Sequence, residues 1–256
     1  MPERLTMEGL HIHAHERALV QGVDLALEPG VITVLVGASG SGKSLTARSL
    51  LGMVKAVPGV SAGVLTVETG SETLRPYSDG RWDRIRGPLI SWLPQDARGA
   101  LDPLWTVGRQ LREALILARR DPDPVPWLSR AGLDDASRAA RLFPHELSGG
   151  MAQRASIALA LARGSRYLLA DEPTTGLDPT VQEGILDELV GLKHEGVGIL
   201  LITHDLRLVP RLGDRLLVMA EGRMVEDLPA RELHRVSAPE ALQLLEATRR
   251  VGGGLL

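Results

Sequence analysis

Hydrophobic and polar residues alternate along the first thirty positions of the chain, and the alternation then gives way to continuous apolar runs. The segments LHIHAHERALV and GVDLALEPG have a period of two, which predicts short antiparallel strands joined by turns. The run VITVLVG is apolar throughout and leads into a Gly/Ser loop and a helical segment, KSLTARSLLGMV. A buried strand that feeds a helix is typical of parallel α/β folds.

The pattern changes in the middle of the chain, where strand signals disappear between about 96 and 163. Two amphipathic segments, TVGRQLREALILARR and MAQRASIALALAR, flank the Pro-rich stretch DPDPVPW and predict a helical insertion. Strand and helix patterns alternate again in YLLAD, VQEGILDELVGLKHE and GILLITH. The pattern therefore predicts an α/β core interrupted by helices.

Composition narrows the class of protein. The chain has 256 residues, 44% hydrophobic and 24% charged, with a net charge of −3, so it lacks the basic balance of a nucleic-acid-binding protein. The absence of Cys excludes disulfides and thiolate metal sites. The start, MPERLTMEGL, has acidic residues and no apolar core, and the longest apolar runs are too short to span a bilayer. We therefore expect a cytosolic protein that reaches a membrane only through a partner, with a flexible Gly-rich tail, VGGGLL.

A glycine-rich loop lies between the first buried strand and its helix. GASGSGKS matches the phosphate-binding pattern G-x-x-x-x-G-K-[ST] in the strand–loop–helix context that gives the match its meaning. Its glycines let backbone N–H groups point at phosphate oxygens, while Lys43 would neutralise the β- and γ-phosphates and Ser44 would coordinate Mg²⁺. A loop without a ligand is the alternative. The predicted nucleotide-binding residues here are Gly37, Ala38, Ser39, Gly40, Ser41, Gly42, Lys43 and Ser44.

Two carboxylates end the apolar strand YLLADEP. Asp171 lies at the tip of the strand, where it can hold the Mg²⁺ shell, and Glu172 is placed to polarise an attacking water. Acidic residues at a strand end also commonly begin a loop, so this pair alone does not decide between the two interpretations.

A further set of motifs points to one family. LSGGMAQR, residues 147–154, resembles the signature motif of the ATP-binding subunits of ABC transporters. LADEPTTGLDP is similar to their Walker B and D-loop, LLITHDL to the segment of their switch histidine, and LPQDARGALDP to their Q-loop. With the P-loop these are five motifs in the family's order, and the resemblance covers about residues 5–235.

The resemblance implies an α/β fold with a RecA-like P-loop NTPase core, an N-terminal antiparallel β subdomain and an inserted α-helical signature subdomain. The expected division follows the motifs. Residues 1–95 hold the β subdomain and the first part of the core, 96–163 the helical subdomain, 164–235 the second part of the core, and 236–256 a short C-terminal helix and tail.

The resemblance also implies an ATPase that uses ATP and Mg²⁺. Glu172 would be the general base, His204 would contact the γ-phosphate, and Gln95 would sense Mg²⁺ and the γ-phosphate and couple closure to the helical insertion. The expected Mg²⁺ ligands are Ser44, Gln95 and Asp171. Catalysis of this kind is positioning and charge stabilisation.

The signature segment implies a shared site. Ser148, Gly149 and Gly150 precede a helix, which is an anion-binding position. In the family, one nucleotide is closed between a P-loop and a partner's signature loop in a head-to-tail dimer. Asp178 of the D-loop would link the two sites across that interface.

The implied partners are a second ATPase subunit, expected to form a heterodimer, two membrane-spanning permease subunits and, through them, an extracytoplasmic solute-binding protein. The expected location is peripheral, on the cytoplasmic face of the inner membrane. No nucleic acid is expected.

The motifs most resemble the dipeptide, oligopeptide and nickel importer group, on LPQDARGALDPLWTVGRQL, FPHELSGGMAQR and ADEPTTGLDPTVQ. Peptide importers of that group usually carry a Cys-containing C-terminal segment, and this chain has no Cys. The short chain, the GASGSGKSLT P-loop and the ALVQGVDLAL entry look most like the nickel-type subunit, and this resemblance implies uptake of nickel or a nickel chelate. Peptide import is the alternative, and a non-transport ABC ATPase is the interpretation from a different class.

The histidines of HIHAH depart from the family pattern. In an extended strand His11, His13 and His15 would project to one side, which suggests a metal site. The family usually has an aromatic residue here that stacks on adenine, and no Tyr, Phe or Trp lies nearby. Solvated histidines without a role, adenine contact by His13 or His15, and metal binding all remain open.

Overall fold

The computed structural model describes residues 4–69 and 72–252. The alternating N-terminal segment forms an antiparallel four-stranded sheet in the order β2–β1–β4–β5. Its strands are β1 (Arg4–Ala14), β2 (Arg17–Leu27), β4 (Pro58–Glu68) and β5 (Thr73–Leu74).

The apolar runs form a second sheet in the order β10–β9–β3–β8–β7–β6. Every neighbouring pair in it is parallel except the β9–β10 hairpin, because long connections through helices separate the other strands in sequence. Its strands are β3 (Ile32–Val36), β6 (Ile90–Leu93), β7 (Tyr167–Asp171), β8 (Gly198–Ile202), β9 (Arg215–Ala220) and β10 (Arg223–Pro229).

The helices that follow β6 pack in the core on one face of this sheet, whereas the three helices before β6 pack in the core shared with the antiparallel sheet. Between β6 and β7 the described residues contain helices and no strand. The division of the chain at 95, 163 and 235 stays a prediction. The helices are α1 (Lys43–Ser49), α2 (Pro76–Asp79), α3 (Trp82–Ile85), α4 (Val107–Leu117), α5 (Val125–Arg130), α6 (Ala136–Ala139), α7 (Gly149–Ala162), α8 (Pro179–His194), α9 (Leu208–Leu212) and α10 (Pro239–Gly252), with 3₁₀ turns at Pro144–Glu146 and Ala230–Arg235.

Two hydrophobic cores lie on opposite faces of the parallel sheet. In β3, Val34 and Val36 belong to the core under the helices, and Leu35 belongs to the core shared with the antiparallel sheet. A strand buried on both faces has to be apolar at every position, which explains the unbroken run in the sequence. The carboxyl ends of these buried strands form a rigid edge.

The structure corrects the prediction for the three histidines. β1 ends at Ala14, and His15 lies in the following turn with φ 52°, so it does not continue the face of His11 and His13. His13 Nδ1 lies 2.8 Å from Ser61 Oγ. Among the described residues no group of three or more His, Cys, Asp or Glu could hold a metal ion.

Two sequence predictions concern the C-terminal tail and membrane-spanning segments. Val251 and Gly252 of the predicted flexible tail belong to α10, and the rest of that tail lies outside the described residues. Within the described ranges, no helix is long and apolar enough to cross a membrane.

Candidate functional site

The candidate residues meet where four neighbouring parallel strands end. The P-loop follows β3, Gln95 follows β6, Asp171 ends β7 with Glu172 directly after it, and His204 follows β8. The carboxyl ends of adjacent parallel strands share one edge, where open α/β sheets bind their ligands. Sheet topology therefore brings together groups that are far apart in the sequence.

Close backbone packing shapes the P-loop. A Cβ on Gly37 would collide with the Met219 carbonyl oxygen. Gly42 has φ 106°, and a Cβ there would lie 2.7 Å from Met219 Cε and 3.2 Å from the Leu19 carbonyl oxygen. Only glycine fits these two positions, so the glycines of the motif also hold the loop against the ends of β9 and β2.

Lys43 lies inside the loop. It is 7% exposed, and its Nζ donates to the carbonyl oxygens of Gly37 and Ala38, both at 2.8 Å. Burial lowers the pKa of Lys43, and the carboxylates of Glu172 and Asp171 oppose that shift. Two carbonyl oxygens therefore hold the ammonium group in a site where burial disfavours its charge. A phosphate can replace these carbonyl oxygens as the acceptor.

Ser44 and Asp171 form the pair that fits a magnesium ion. Ser44 Oγ donates to Asp171 Oδ1 at 3.0 Å, and Asp171 is 4% exposed. Burial raises the pKa of Asp171, while the Ser44 hydrogen bond and Arg48 lower it. A hydroxyl and a carboxylate side by side are hard oxygen ligands of the type that Mg²⁺ takes, together with waters and phosphate oxygens.

Glu172 is the centre of a hydrogen-bonded cluster. Gln95 Nε2 donates to Glu172 Oε2 at 2.9 Å, and His204 Nδ1 lies 3.3 Å from Oε1. Its backbone has φ 48°, in the left-handed region that non-glycine residues rarely adopt. The Glu172 N–H donates to the Ile202 carbonyl at 2.9 Å, which fixes that conformation. Strain held in this way is a mark of functional positions.

The signature segment and the D-loop lie apart from this cluster. Ser148 caps α7 and accepts from the Met151 N–H at 3.2 Å, and Asp178 caps α8 through two bonds of 3.1 Å. Gly150 faces Val181 of α8. No hydrogen bond between described residues joins these groups to the P-loop, Asp171, Glu172, Gln95 or His204.

Sequence reasoning missed two residues of the site. Thr175 Oγ1 donates to Glu172 Oε2 at 3.0 Å, and the signal available was its position three residues after the glutamate. Arg48 lies near Asp171, with its guanidinium carbon 5.2 Å from the centre of the Trp92 ring. No local pattern marks Arg48, because its partners come from β6 and β7.

A P-loop, a buried Ser–Asp pair and a strained glutamate at one sheet edge define a P-loop ATPase. The chain belongs to the ABC transporter family, and its residues 20–175 match the sequence profile of that family. It is an ATPase of the ATP-binding cassette class, and the predicted α/β P-loop fold with an antiparallel sheet and helical elements is confirmed.

Two named proteins are similar to this chain over most of its length. A Brucella abortus (strain 2308) protein named as a peptide import ATP-binding protein is 39% identical over 264 residues, covering 97% of this chain and 78% of that protein. An oligopeptide transport ATP-binding protein, OppD, of Mycobacterium tuberculosis is 41% identical over 226 residues, covering 84% of this chain and 36% of that protein.

Solved structures resemble the whole fold. A dimeric ATP-binding cassette in a post-hydrolysis state with ADP and Pi matches with TM-score 0.76 and 26% identity, covering 89% of this chain and 99% of that one. The cbiO1 protein of Clostridium perfringens, described as part of an ABC transporter complex, matches with TM-score 0.74 and 25% identity, covering 99% of this chain and 96% of that one.

Proposed function

We propose that the chain is the ATP-hydrolysing subunit of an ABC importer for peptides. The observation that carries this proposal is the 39% identity, over 97% of the chain, to a protein named for peptide import. It supports the alternative from the sequence better than the nickel uptake predicted first. The site geometry supports the ATPase part of the proposal independently of any name.

In this proposal ATP binds with its β- and γ-phosphates on the P-loop, and Lys43 moves from the carbonyls of Gly37 and Ala38 to phosphate oxygens. Ser44, Asp171 and Gln95 would hold Mg²⁺, which would supply charge neutralisation at the phosphates. Glu172 accepts the proton of the attacking water and His204 contacts the γ-phosphate.

The signature segment completes a second chain's site. Ser148 and Gly149 are exposed, and Ser148 uses its side chain only to cap its own helix among the described residues. A nucleotide on the P-loop of a partner would meet this helix end and its free amides. The proposed partner is a second ATPase subunit, in a heterodimer as the sequence predicts, and Asp178 would link the two sites.

A large groove fits the membrane partners. It has a volume of about 950 Å³ and lies between the parallel sheet and α4 and α7, with Trp105 half-buried in its wall. The Arg109 guanidinium carbon lies 3.7 Å from the ring centre of Trp105. Leu117 lines the groove and is 67% exposed. We assign the groove to a helix of a permease subunit, which places the chain at the cytoplasmic face of the membrane.

Gln95 connects that groove to the chemistry. Its neighbours Pro94 and Asp96 line the groove, and its own side chain donates to Glu172. Movement of a helix seated in the groove would therefore displace a hydrogen bond to the general base. This is the route by which transport and hydrolysis are coupled in the proposal.

The test is uptake in a strain of the source organism that carries Glu172→Gln in this chain. We expect loss of uptake of labelled short peptides, unchanged nickel uptake, and recovery of the permeases with the tagged chain. Loss of nickel uptake alone would support the first sequence prediction instead. Recovery of the chain without any membrane protein would contradict the importer function altogether.

A further inference from the structure

The residues directly after Gln95 contact the helix that carries the signature segment. The Arg98 guanidinium donates from Nη2 to the carbonyl oxygen of Leu147, the residue before Ser148. Ser156 Oγ, about two turns further along α7, donates to the Ala97 carbonyl oxygen at 3.0 Å. The segment after Gln95 therefore holds both the start and the middle of α7.

The two contacts differ in their surroundings. Ala97 and Ser156 are both buried, so their hydrogen bond belongs to the packing of the segment against the helix. Arg98 is exposed, and its side chain reaches out to a backbone oxygen at the beginning of the signature. A bond from a charged guanidinium to a carbonyl oxygen is stronger than one between neutral groups. Arg98 is therefore suited to fixing a backbone position.

The backbone oxygen that Arg98 holds determines how the signature begins. Leu147 is extended, with φ −83° and ψ 145°, and joins the 3₁₀ turn Pro144–Glu146 to α7. The peptide unit between Leu147 and Ser148 is planar, so fixing its oxygen also fixes the direction of the Ser148 N–H. The orientation of the first residue of the signature helix thus depends on Arg98.

The signature segment itself has little packing around it. Ser148 and Gly149 are exposed, and a Cβ on Gly149 would meet no heavy atom within 4 Å beyond its chain neighbours and its own helix. The Ser148 side chain caps α7 by accepting from the Met151 N–H. These contacts hold the helix end together, whereas the bond from Arg98 ties it to the rest of the chain.

We propose that Arg98 is a positioning residue for the nucleotide on the partner's P-loop, and that it acts through the signature segment of its own chain. The inference rests on the proposed shared site. Gln95, three residues earlier, donates to Glu172 of its own chain. One short segment therefore supports two different sites: its own through Gln95, and that of the second subunit through Arg98.

The test uses the full chain in mixtures of Lys43→Ala and Ser148→Arg, under conditions where the wild-type chain hydrolyses ATP. The one intact site in such a pair combines the P-loop of the Ser148→Arg copy with the signature segment of the Lys43→Ala copy. Arg98→Met keeps the length of the side chain, removes its donors and is added to one copy at a time.

We expect Arg98→Met in the Lys43→Ala copy to lower hydrolysis at saturating ATP about tenfold, as loss of one hydrogen bond from a charged donor does. The same change in the Ser148→Arg copy should leave the rate within about twofold of the unmodified mixture. Calorimetric titration should show unchanged ATP binding by Arg98→Met in the otherwise wild-type chain. This binding also reports that the variant is folded.

Arg98→Lys retains a charged donor and should restore most of the rate in the Lys43→Ala copy. Arg112→Met, an exposed arginine of α4, is the matched control and should leave the rate unchanged in either copy. A fall in the Ser148→Arg copy as large as that in the Lys43→Ala copy, or no fall in either, would overturn the inference. A mixture that is inactive with Arg98 intact would instead refute the shared site itself, and the inference with it.

Discussion

The P-loop region and the signature region are both predicted to bind the nucleotide, but the groups of the first are buried and those of the second are exposed. Lys43 and Asp171 are buried, and every group predicted to act there touches another member of the cluster or its loop. Ser148 and Asp178 are exposed and hydrogen-bond only within their own helix ends in the described part of the chain. The first region is assembled by the fold, whereas the second is presented to something outside it.

This difference shows which parts of the chemistry one chain can supply. Two strand ends of one sheet, those of β3 and β7, fix the distances between Lys43, Asp171 and Glu172, so that half-site exists without a partner. The signature segment lies on a helix that packs on α4 and α5, away from that edge. Binding should therefore depend on the first region alone, and hydrolysis on both.

The largest expected effect comes from removing the base in the assembled region. Glu172→Gln keeps the shape of the Gln95–Glu172–His204 cluster and removes the proton acceptor, so turnover should fall about 10²- to 10⁴-fold with ATP affinity retained. Steady-state hydrolysis and calorimetry measure the two quantities. The control Glu183→Gln breaks a surface ion pair with Arg211 and should hydrolyse normally. Unchanged turnover in Glu172→Gln would remove the general-base role.

Lys43→Ala should weaken ATP binding about 10- to 100-fold, because it deletes the buried cation that meets the phosphates. Titration with ATP measures the loss. Lys55→Ala, an exposed lysine, is the matched control and should bind as the wild type does. Equal losses in the two variants would mean that general positive charge, and not the P-loop geometry, binds the nucleotide.

In the absence of nucleotide, the buried charge of Asp171 in the P-loop region should lower the free energy of unfolding. The pKa of Asp171 is raised in the folded chain, so folding favours its protonated form, and stability falls as pH rises from the unfolded pKa through the folded one. Asp171→Asn carries no charge there and should raise the melting temperature at pH 7 by about 2–4 °C, the size of a modest stabilisation in a chain of this length.

Calorimetric melting at several pH values checks this sign. The advantage of Asp171→Asn should shrink as the pH falls toward the pKa of the carboxyl group in the folded chain. Hydrolysis by the variant should be lost although the chain is more stable. An advantage that is independent of pH would show that packing, not the buried charge, separates the two proteins.

The smallest effect concerns Thr175, which sharpens the role of Glu172. Thr175→Val removes one hydrogen bond to Glu172 Oε2 and should lower turnover about fivefold. Thr175→Ser keeps the hydroxyl and should restore the rate. An equal loss of turnover in Thr175→Ser would show that the Thr175 methyl group, and not the hydrogen bond to Glu172, supports hydrolysis.

The sequence predicted what is local and missed what depends on distant packing. The P-loop, the YLLADEP carboxylates and the signature are continuous segments whose chemistry can be recognised without the fold. The face of His15 could not be predicted, because the end of β1 at Ala14 and an irregular register with β2 decide it. Arg48 is equally invisible in the sequence, since tertiary packing brings it to the site.

The transported solute is harder to predict from the sequence than the nucleotide site is. Absence of Cys favoured nickel, yet the Brucella and Mycobacterium relatives are named for peptide import and oligopeptide transport. In the proposed importer the nucleotide site binds ATP and not the transported solute, so no residue pattern in that site can distinguish nickel from peptides. In the proposed importer, the groove beside Trp105 selects a permease, and the permease selects the solute.

The central claim is that each ATP is hydrolysed between the P-loop of one chain and the signature segment of another. Mixing two inactive variants, Lys43→Ala and Ser148→Arg, tests it directly, because each copy retains the half that the other lacks. We expect neither variant to hydrolyse ATP alone, and the mixture to recover about a quarter to a half of the wild-type rate, from the one intact shared site in each mixed dimer. A mixture that hydrolyses no faster than the sum of its components, under conditions where wild-type chain is active, would contradict the shared site.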